Sequence, residues 1–327
     1  MATVGIIANP AAGKDIRRLV AQGRFVPNIE KVNIIRRILA GLDAVGVERV
    51  LLMPDSAMLG RAALEGSHLD LDVQTLEMPV FNEERDSTRA AELMDGLDVG
   101  CLVVLGGDGT NRVVAKGSGD VPLVPVSTGT NNVFPAMVEG TVAGLAAGVV
   151  ARGLVDLERA TAVCKRLEIH MDGKLRDIAL VDLAVSSERF VGARAIWDMD
   201  TVHEVFLVRA EPASIGLSAI GAQLHPLSLT DGLGLHARLG PGGTTVVAPV
   251  APGAVKSVEV KEWRLLQTGE SVEVGLSPST IALDGERTFS LLPGQGARVS
   301  VSARGPRLVS VEATLREAAE SGVLVGR

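Results

Sequence analysis

Tyrosine is absent from this chain of 327 residues, and six phenylalanines with two tryptophans are its whole aromatic complement. Its cores must therefore be filled by Val, Leu, Ile and Ala. Two cysteines, Cys101 and Cys164, are too few for a disulfide framework. Cys101 falls inside an apolar strand pattern, where a packed structural thiol is the expected reading, and a reducing compartment follows. A basic excess is missing too. The formal net charge of -7 excludes the electrostatic footprint of a nucleic-acid binder or of a protein held on an anionic membrane. No apolar run approaches the roughly 20 residues of a membrane span. The segment Met1–Ile7 carries no basic n-region and runs directly into a strand pattern, so a secretory leader is not expected. These exclusions leave a cytoplasmic protein whose partners are small molecules.

The length exceeds that of one usual hydrophobic core, and two regions of different texture are visible. Residues 1–138 alternate apolar runs with helical patterns. The spacing predicts strands over Val4–Ala8, Arg49–Met53, Val73–Met78, Cys101–Leu105 and Leu123–Val126. It predicts helices over Val32–Val45, Ser56–Glu65, Ser87–Met94 and Thr110–Lys116. Such alternation implies right-handed βαβ units in an open parallel sheet, where ligands sit beyond the carboxyl ends of the strands. A helical pattern over Thr141–Ala151 follows. Within residues 139–305 short alternating segments then dominate: Val163–Met171, Leu175–Ala184, Glu204–Arg209, Thr245–Val250, Val258–Leu265, Ser271–Leu276 and Arg298–Ser302. They predict a β-rich, sandwich-like region, with Asp172-Gly173 and Asp284-Gly285 as turn dipeptides. The overall class is α/β: an open parallel sheet followed by an antiparallel β-rich domain. Residues 306–327, with a helix over Val311–Glu320, are expected to return to the first region.

The most informative stretch is Leu105-Gly106-Gly107-Asp108-Gly109-Thr110-Asn111. Three glycines around one aspartate, at the end of a strand, bring backbone amides close to phosphates with a carboxylate beside them. A tight turn is the competing reading of this loop alone. Val126-Ser127-Thr128-Gly129-Thr130-Asn131-Asn132 repeats the arrangement after the next strand, and two such loops on one sheet edge favour a phosphate site. Neither is a Walker A loop, and neither is a Gly-x-Gly-x-x-Gly dinucleotide fingerprint.

These blocks resemble the superfamily that contains NAD kinases and diacylglycerol or sphingosine kinases. Gly106 to Thr110 matches the Gly-Gly-Asp-Gly-Thr signature of both branches. Asn9-Pro10-Ala11-Ala12-Gly13-Lys14 is similar to the Asn-Pro-x-x-Gly loop of the lipid-kinase branch, Thr128 to Asn132 to its Gly-Thr-Gly-Asn-Asp, and Asp284-Gly285-Glu286 to its late Asp-Gly-Glu. Ala179-Leu180-Val181-Asp182 resembles the Ala-Leu-Asn-Glu of NAD kinases, and Leu217-Ser218-Ala219-Ile220-Gly221 opens a block similar to their Leu-Ser-Ala-Gly-Gly. In texture the chain is most similar to the ATP-NAD kinase-like acetoin catabolism protein X group.

The resemblance implies phosphoryl transfer from ATP, with Mg²⁺, to a hydroxyl of a small metabolite, NAD being the first candidate acceptor. It implies nucleotide contacts at Asn9, Lys14, Gly106, Gly107, Gly109, Thr110, Asn111, Thr128, Gly129, Thr130, Asn131 and Asn132, and acceptor contacts at Asp182 and Ser218. It places the proton-accepting carboxylate at Asp108, or at Asp284 on the lipid-kinase pattern; a plain hairpin-turn residue is the other reading of Asp284. The Mg²⁺ ligands are not assigned. A homodimer or homotetramer joined through the β-rich region is implied as well. Two departures bear on the acceptor. The asparagine that holds NAD is Val181 here, and the Thr-Pro-Thr-Gly-Ser turn is Glu211-Pro212-Ala213-Ser214. They open a second reading, a nucleotide-binding accessory or sensor protein of acetoin catabolism without NAD kinase activity, or a kinase of a different lipid or metabolite acceptor.

Other polar residues read more blandly. Trp197-Asp198-Met199-Asp200 with His203-Glu204 is either a metal or substrate cluster or a solvated loop. His225 reads as a packed histidine. Lys14 is a phosphate contact or, beside Arg17 and Arg18, ordinary surface charge. The Phe25–Lys31 insertion is long for a first βα loop and is expected to form a lid or interface.

Overall fold

The computed structural model describes residues 1–13, 23, 26–129, 132–188 and 199–325. Apolar runs of β-branched residues form the first five strands: β1 (Thr3–Ala8), β2 (Arg49–Leu52), β3 (Asp72–Thr75), β4 (Cys101–Gly106) and β5 (Leu123–Ser127). They pair in parallel in the order β3-β2-β1-β4-β5. Both faces of this sheet are covered, so β1 and β4 are buried along their whole length. The helices between them are α1 (Asn28–Ala44), α2 (Leu59–Leu64), α3 (Glu84–Asp95) and α4 (Asp108–Ala115), followed by α5 (Gly140–Ala151).

Local chemistry moved two helix boundaries from their expected places. The Asp55 carboxylate accepts the Ala57 and Leu59 amides, and Met58 sits at φ 52°, so α2 starts three residues later than Ser56. Asp86 accepts the amides of Phe81 and Glu83, which lets α3 begin at Glu84 rather than Ser87. Helix α1 begins at Asn28, so most of the insertion expected as a lid is helix or its immediate approach.

Helices α1 and α5 touch backbone to backbone. A Cβ at Gly41 would lie 2.4 Å from the Thr141 carbonyl oxygen, and one at Gly144 would lie 2.2 Å from that of Ile38. Leu39 and Leu42 of α1 and Ala143 and Ala147 of α5 complete the same buried cluster.

After α6 (Leu157–Ala160), the strand β6 (Thr161–Val163) lies at the edge of the first sheet. The chain then builds β7 (Arg166–Met171), β8 (Lys174–Ala179), β9 (Asp182–Ser186), β10 (Val202–Leu207), helix α7 (Leu217–Leu224), β11 (Leu233–Ala251), β12 (Ala254–Gln267), β13 (Ser271–Glu273), β14 (Ser279–Leu283), β15 (Glu286–Leu291) and β16 (Arg298–Ser302). Two antiparallel sheets result, β12-β11-β10-β9-β14-β15 and β13-β16-β7-β8. They face each other across Leu167, Ile169, Leu183, Val185, Phe206, Ile281, Val299 and Val301. The far side of the larger sheet is covered by α7. β17 (Arg307–Val309) returns to the first sheet between β5 and β6, and α8 (Val311–Glu320) covers α5.

Two segments that read as single strands are each broken. Val163–Met171 divides at Cys164, whose amide bonds to the Pro306 carbonyl. Leu175–Ala184 divides at Leu180 and Val181, where the chain passes from the smaller sheet to the larger. The amides at that break go to a carboxylate instead of a ladder. Cys101 and Cys164 are both buried and unbonded to each other; burial pushes the Cys164 thiol up to about 12 and Cys101 higher still.

A carboxylate and an imidazole are paired inside the larger sheet. Glu204 receives His236 Nε2 at 2.6 Å and the Gly275 amide at 2.9 Å, while the His236 ring stacks on Phe206 at 4.5 Å. Burial alone raises a carboxylic acid, but here the His236 contact, the Gly275 N–H and the charges of His236 and Arg238 outweigh it and hold Glu204 below its usual range.

Two outcomes are expected. Gly144→Ala gains helix propensity but drives a methyl into the α1 backbone, and should lower stability by about 1–3 kcal/mol in a urea titration. Because the folded value of Glu204 is depressed, its stabilisation is present above the ordinary carboxylate value near ~4.3 and is lost as pH falls through the folded value. Glu204→Gln should therefore destabilise by about 1–3 kcal/mol near neutral pH, with the gap to the native chain closing in acid denaturation curves.

Candidate functional site

Three turns stand side by side at the carboxyl ends of β1, β4 and β5. Asn9 leaves β1 with its amide on the Leu105 carbonyl at 3.0 Å. Its side chain donates to Thr110 Oγ1 at 2.9 Å and accepts the Ala11 amide at 2.8 Å, an Asx turn that curls the chain toward Gly13. Two of the glycines are demanded by close approach. A Cβ at Gly106 would lie 2.4 Å from Thr110 Cβ, and one at Gly107 would lie 2.9 Å from Asn132 Oδ1. Gly129 faces the other side of the Asn132 amide, which donates to Ser127 Oγ at 2.8 Å. Asn9, Gly106, Gly107, Thr110, Thr128, Gly129 and Asn132 are thus one constellation. Asn111 sits beneath it, fully buried, its Nδ2 donating to the Gly107 carbonyl at 2.9 Å. Lys14, Thr130 and Asn131 lie outside the described residues, as do Trp197 and Asp198.

One observation fits a phosphorylated ligand: among the described residues the Thr128 hydroxyl, a donor, is buried with no protein partner. The space beside Gly106 is taken by Thr110 and that beside Gly107 and Gly129 by Asn132, so these glycines let the neighbouring turns pack on each other. Among the described residues no group of three or more His, Cys, Asp or Glu side chains is arranged to hold a metal ion. Mg²⁺ in nucleotide sites takes most of its ligands from phosphate and water, so such a group is not required.

The motif carboxylates are both tied to backbone. Asp108 accepts the Val133 amide at 3.0 Å and the Phe134 amide at 2.8 Å. Asp284 accepts Leu180, Val181 and Asp182 at 3.0, 2.8 and 3.3 Å. Asp182 answers by taking the Gly285 amide on Oδ1 at 3.2 Å and the Asp284 amide on its carbonyl at 2.9 Å. Asp284 and Gly285, at φ 51° and 75°, also turn the β14–β15 hairpin, as the turn reading of this dipeptide expects. The hairpin carries Glu286 against the first glycine loop: a Cβ at Gly109 would lie 3.2 Å from its carboxylate carbon.

Between the carboxylates lies Arg112, which sequence reasoning missed. It is 1% exposed, one turn after Asp108 on α4. Its guanidinium reaches Glu84 at 3.2 Å, Asp177 at 3.1 Å and Asp284 at 3.8 Å, and Lys116 joins Asp177 at 2.6 Å. Burial and the carboxylates of Asp182 and Asp108 push Asp284 well above the usual carboxylate range, against the pull of Arg112 and the Val181 amide. Burial works against the charge on Arg112, and Asp284, Asp177, Glu84 and Glu286 more than restore it.

Lys31 was missed too, although its signal is visible. It shares the apolar stripe of α1 with Ile35, Ile38 and Leu42 and is fully buried. Its ammonium donates to the carbonyls of Asn9, Pro10 and Ala12 at 3.1, 2.9 and 2.8 Å.

Ser218 reaches the site at one remove. It is buried in α7, where Oγ accepts the Glu211 amide at 3.0 Å; the Glu211 carboxylate holds Arg209, and Arg209 donates to the Phe134 carbonyl at 3.3 Å. Val181, in the asparagine position, is wholly buried in the apolar cluster under the first sheet. The cluster suspected around His203 and Glu204 does not form from those two residues. Strand alternation turns His203 outward and Glu204 into the β-rich core.

Residues 4–154 match the family model of the ATP-NAD kinase N-terminal domain, and residues 165–304 match that of the acetoin catabolism protein X C-terminal domain. The chain is 41% identical over 329 residues to acetoin catabolism protein X of Cupriavidus necator, with 96% of this chain and 92% of that protein covered. Among solved structures it is similar to a "putative diacylglycerol kinase" from Bacillus anthracis, with 13% identity, a TM-score of 0.46, and coverage of 94% and 96% of the two chains. It is also similar to an NAD kinase from Archaeoglobus fulgidus in complex with ATP, with 14% identity, a TM-score of 0.36, and coverage of 85% and 99%.

Removing one member of a buried ion network leaves the others uncompensated. Arg112→Met should lower stability by about 3–5 kcal/mol in a denaturant titration.

Proposed function

The chain belongs to the acetoin catabolism protein X family, and from that premise we propose that it is an ATP-dependent phosphotransferase acting on a hydroxyl of a small metabolite. The observation that carries this reading is the meeting of three glycine- and amide-lined turns with the Asp284-Gly285-Glu286 hairpin, which sets Glu286 against Gly109. Backbone amides and the Thr128 hydroxyl bind the phosphates, and Asn132 and Asn9 hold the turns that present them. Mg²⁺ held by the nucleotide supplies neutralising charge to the transferring phosphoryl group.

Of the carboxylates, Asp108 is the proton acceptor in this reading. Both carboxylates are held by backbone amides, but the Asp284 side chain is fully closed to solvent whereas Asp108 keeps some exposure. Asp108 lies at the start of α4 between two glycines, beside the first loop. The acceptor hydroxyl gives its proton to Asp108 as its oxygen bonds to the γ-phosphorus and the bond to the ADP leaving group breaks. NAD is the first acceptor to test.

One observation favours a second reading, a nucleotide-binding accessory protein of acetoin catabolism. Val181 offers a buried aliphatic side chain where the resemblance expects an amide that holds NAD.

Incubation of the purified chain with ATP, Mg²⁺ and NAD, with NADP⁺ measured enzymatically, separates the two. Turnover is expected; its absence at high protein concentration, with ATP bound, removes NAD as the acceptor, and absence of turnover across a panel of hydroxylated metabolites as well assigns the second reading. Asp108→Asn should lower turnover by about 10²–10⁴-fold while ATP affinity stays within about threefold. Undiminished turnover would move the proton acceptor to Asp284.

A further inference from the structure

Lysine is among the side chains least often fully buried, yet Lys31 has no exposed surface at all. An ammonium has three N–H donors, and three carbonyls converge on this one, the arrangement that suits the charged form. All three carbonyls belong to the turn that follows β1. A trans peptide points its N–H opposite to the preceding carbonyl, so drawing the Ala12 oxygen inward directs the Gly13 N–H outward.

What lies near Gly13 is the second phosphate loop. Gly13 adopts φ +73°, and a Cβ there would stand 2.6 Å from the Thr128 carbonyl oxygen. Thr128 is the residue whose buried hydroxyl has no protein partner. One turn is therefore shaped from beneath by a buried cation while its neighbour presents an unanswered donor.

We propose that Lys31 is the cation of the phosphate site, a positioning residue that fixes the Asn9–Gly13 turn and lends its charge through that turn to a bound polyphosphate. The inference rests on the nucleotide reading above and deepens it. Affinity for the phosphate chain then depends on a lysine inside α1, independently of any lysine on the surface of the loop. Charge acting over a few ångströms in a partly desolvated site grades with the charge of the ligand, whereas a turn that is merely held in shape serves every ligand alike.

The test is a series of dissociation constants by titration calorimetry for adenosine, AMP, ADP and ATP, with Mg²⁺, on the full chain and on Lys31→Met and Lys31→Arg. For Lys31→Met the loss should stay within about twofold for adenosine and rise with each phosphate to on the order of tenfold or more for ATP. For Lys31→Arg, which keeps the charge but not the three-carbonyl fit, any loss should be even across the series. An even loss in Lys31→Met, or none, overturns the proposal. If Lys31→Met does not fold by circular dichroism, Lys31→Gln, neutral and able to donate to two of the carbonyls, takes its place: a graded loss supports the proposal and an even one, or none, overturns it. No binding of any of the four by the unsubstituted chain overturns the nucleotide reading, and this inference with it. An ungraded pattern overturns this inference alone.

Discussion

A carboxylate removed from water must find donors, and here two of them find consecutive backbone amides. Asp108 closes on residues 133–134 and Asp284 on residues 180–182, with Arg112 buried between. The amides offset part of the cost of burial, while a buried carboxylate left without them is worse than no carboxylate at all. The arrangement is therefore close to all-or-none. The first clasp shapes the loop after β5, and the second fixes the point where the chain leaves β8 for β9. Because Arg112 belongs to α4 and its partners Asp177 and Asp284 to the β-rich part, the same charges register one region against the other.

The clasps also explain how motifs distant in sequence become one site. Asp284 tolerates the left-handed backbone that the β14–β15 turn needs, and its side chain reaches back across the strand pair to residues 180–182. With the hairpin so anchored, Glu286 lies over Gly109, where a Cβ would come within 3.2 Å of its carboxylate carbon. A turn requirement, a packing requirement and a charge requirement are satisfied by three adjacent residues.

The sequence made the parallel sheet, its strand positions and the converging loops legible, because apolar period and glycine spacing are local signals. The helix over Val311–Glu320 was read to the residue. What stayed hidden depends on tertiary partners. Nothing local marks Leu180 and Val181 as a break, since their amides are taken by a residue a hundred positions away. Arg112 reads as an ordinary helix cation until Glu84, Asp177 and Asp284 surround it. Lys31 broke the apolar stripe of α1 and was readable as an anomaly, but the three carbonyls that explain it come from another segment. The suspected cluster at His203 and Glu204 failed for a local reason, the two-residue alternation of β10.

The placement of β17 carries a consequence for how the molecule is made. Residues 307–309 are inserted between β5 and β6, so the first sheet is completed by a segment synthesised after the entire β-rich part. While a ribosome is still producing that part, β5 has an unfilled edge on the side that β17 will occupy, and β6 has no neighbour. The nascent first sheet thus waits, open along one side, for the far end of its own polypeptide, and an interruption of synthesis before residue 307 leaves a sheet edge available to foreign strands.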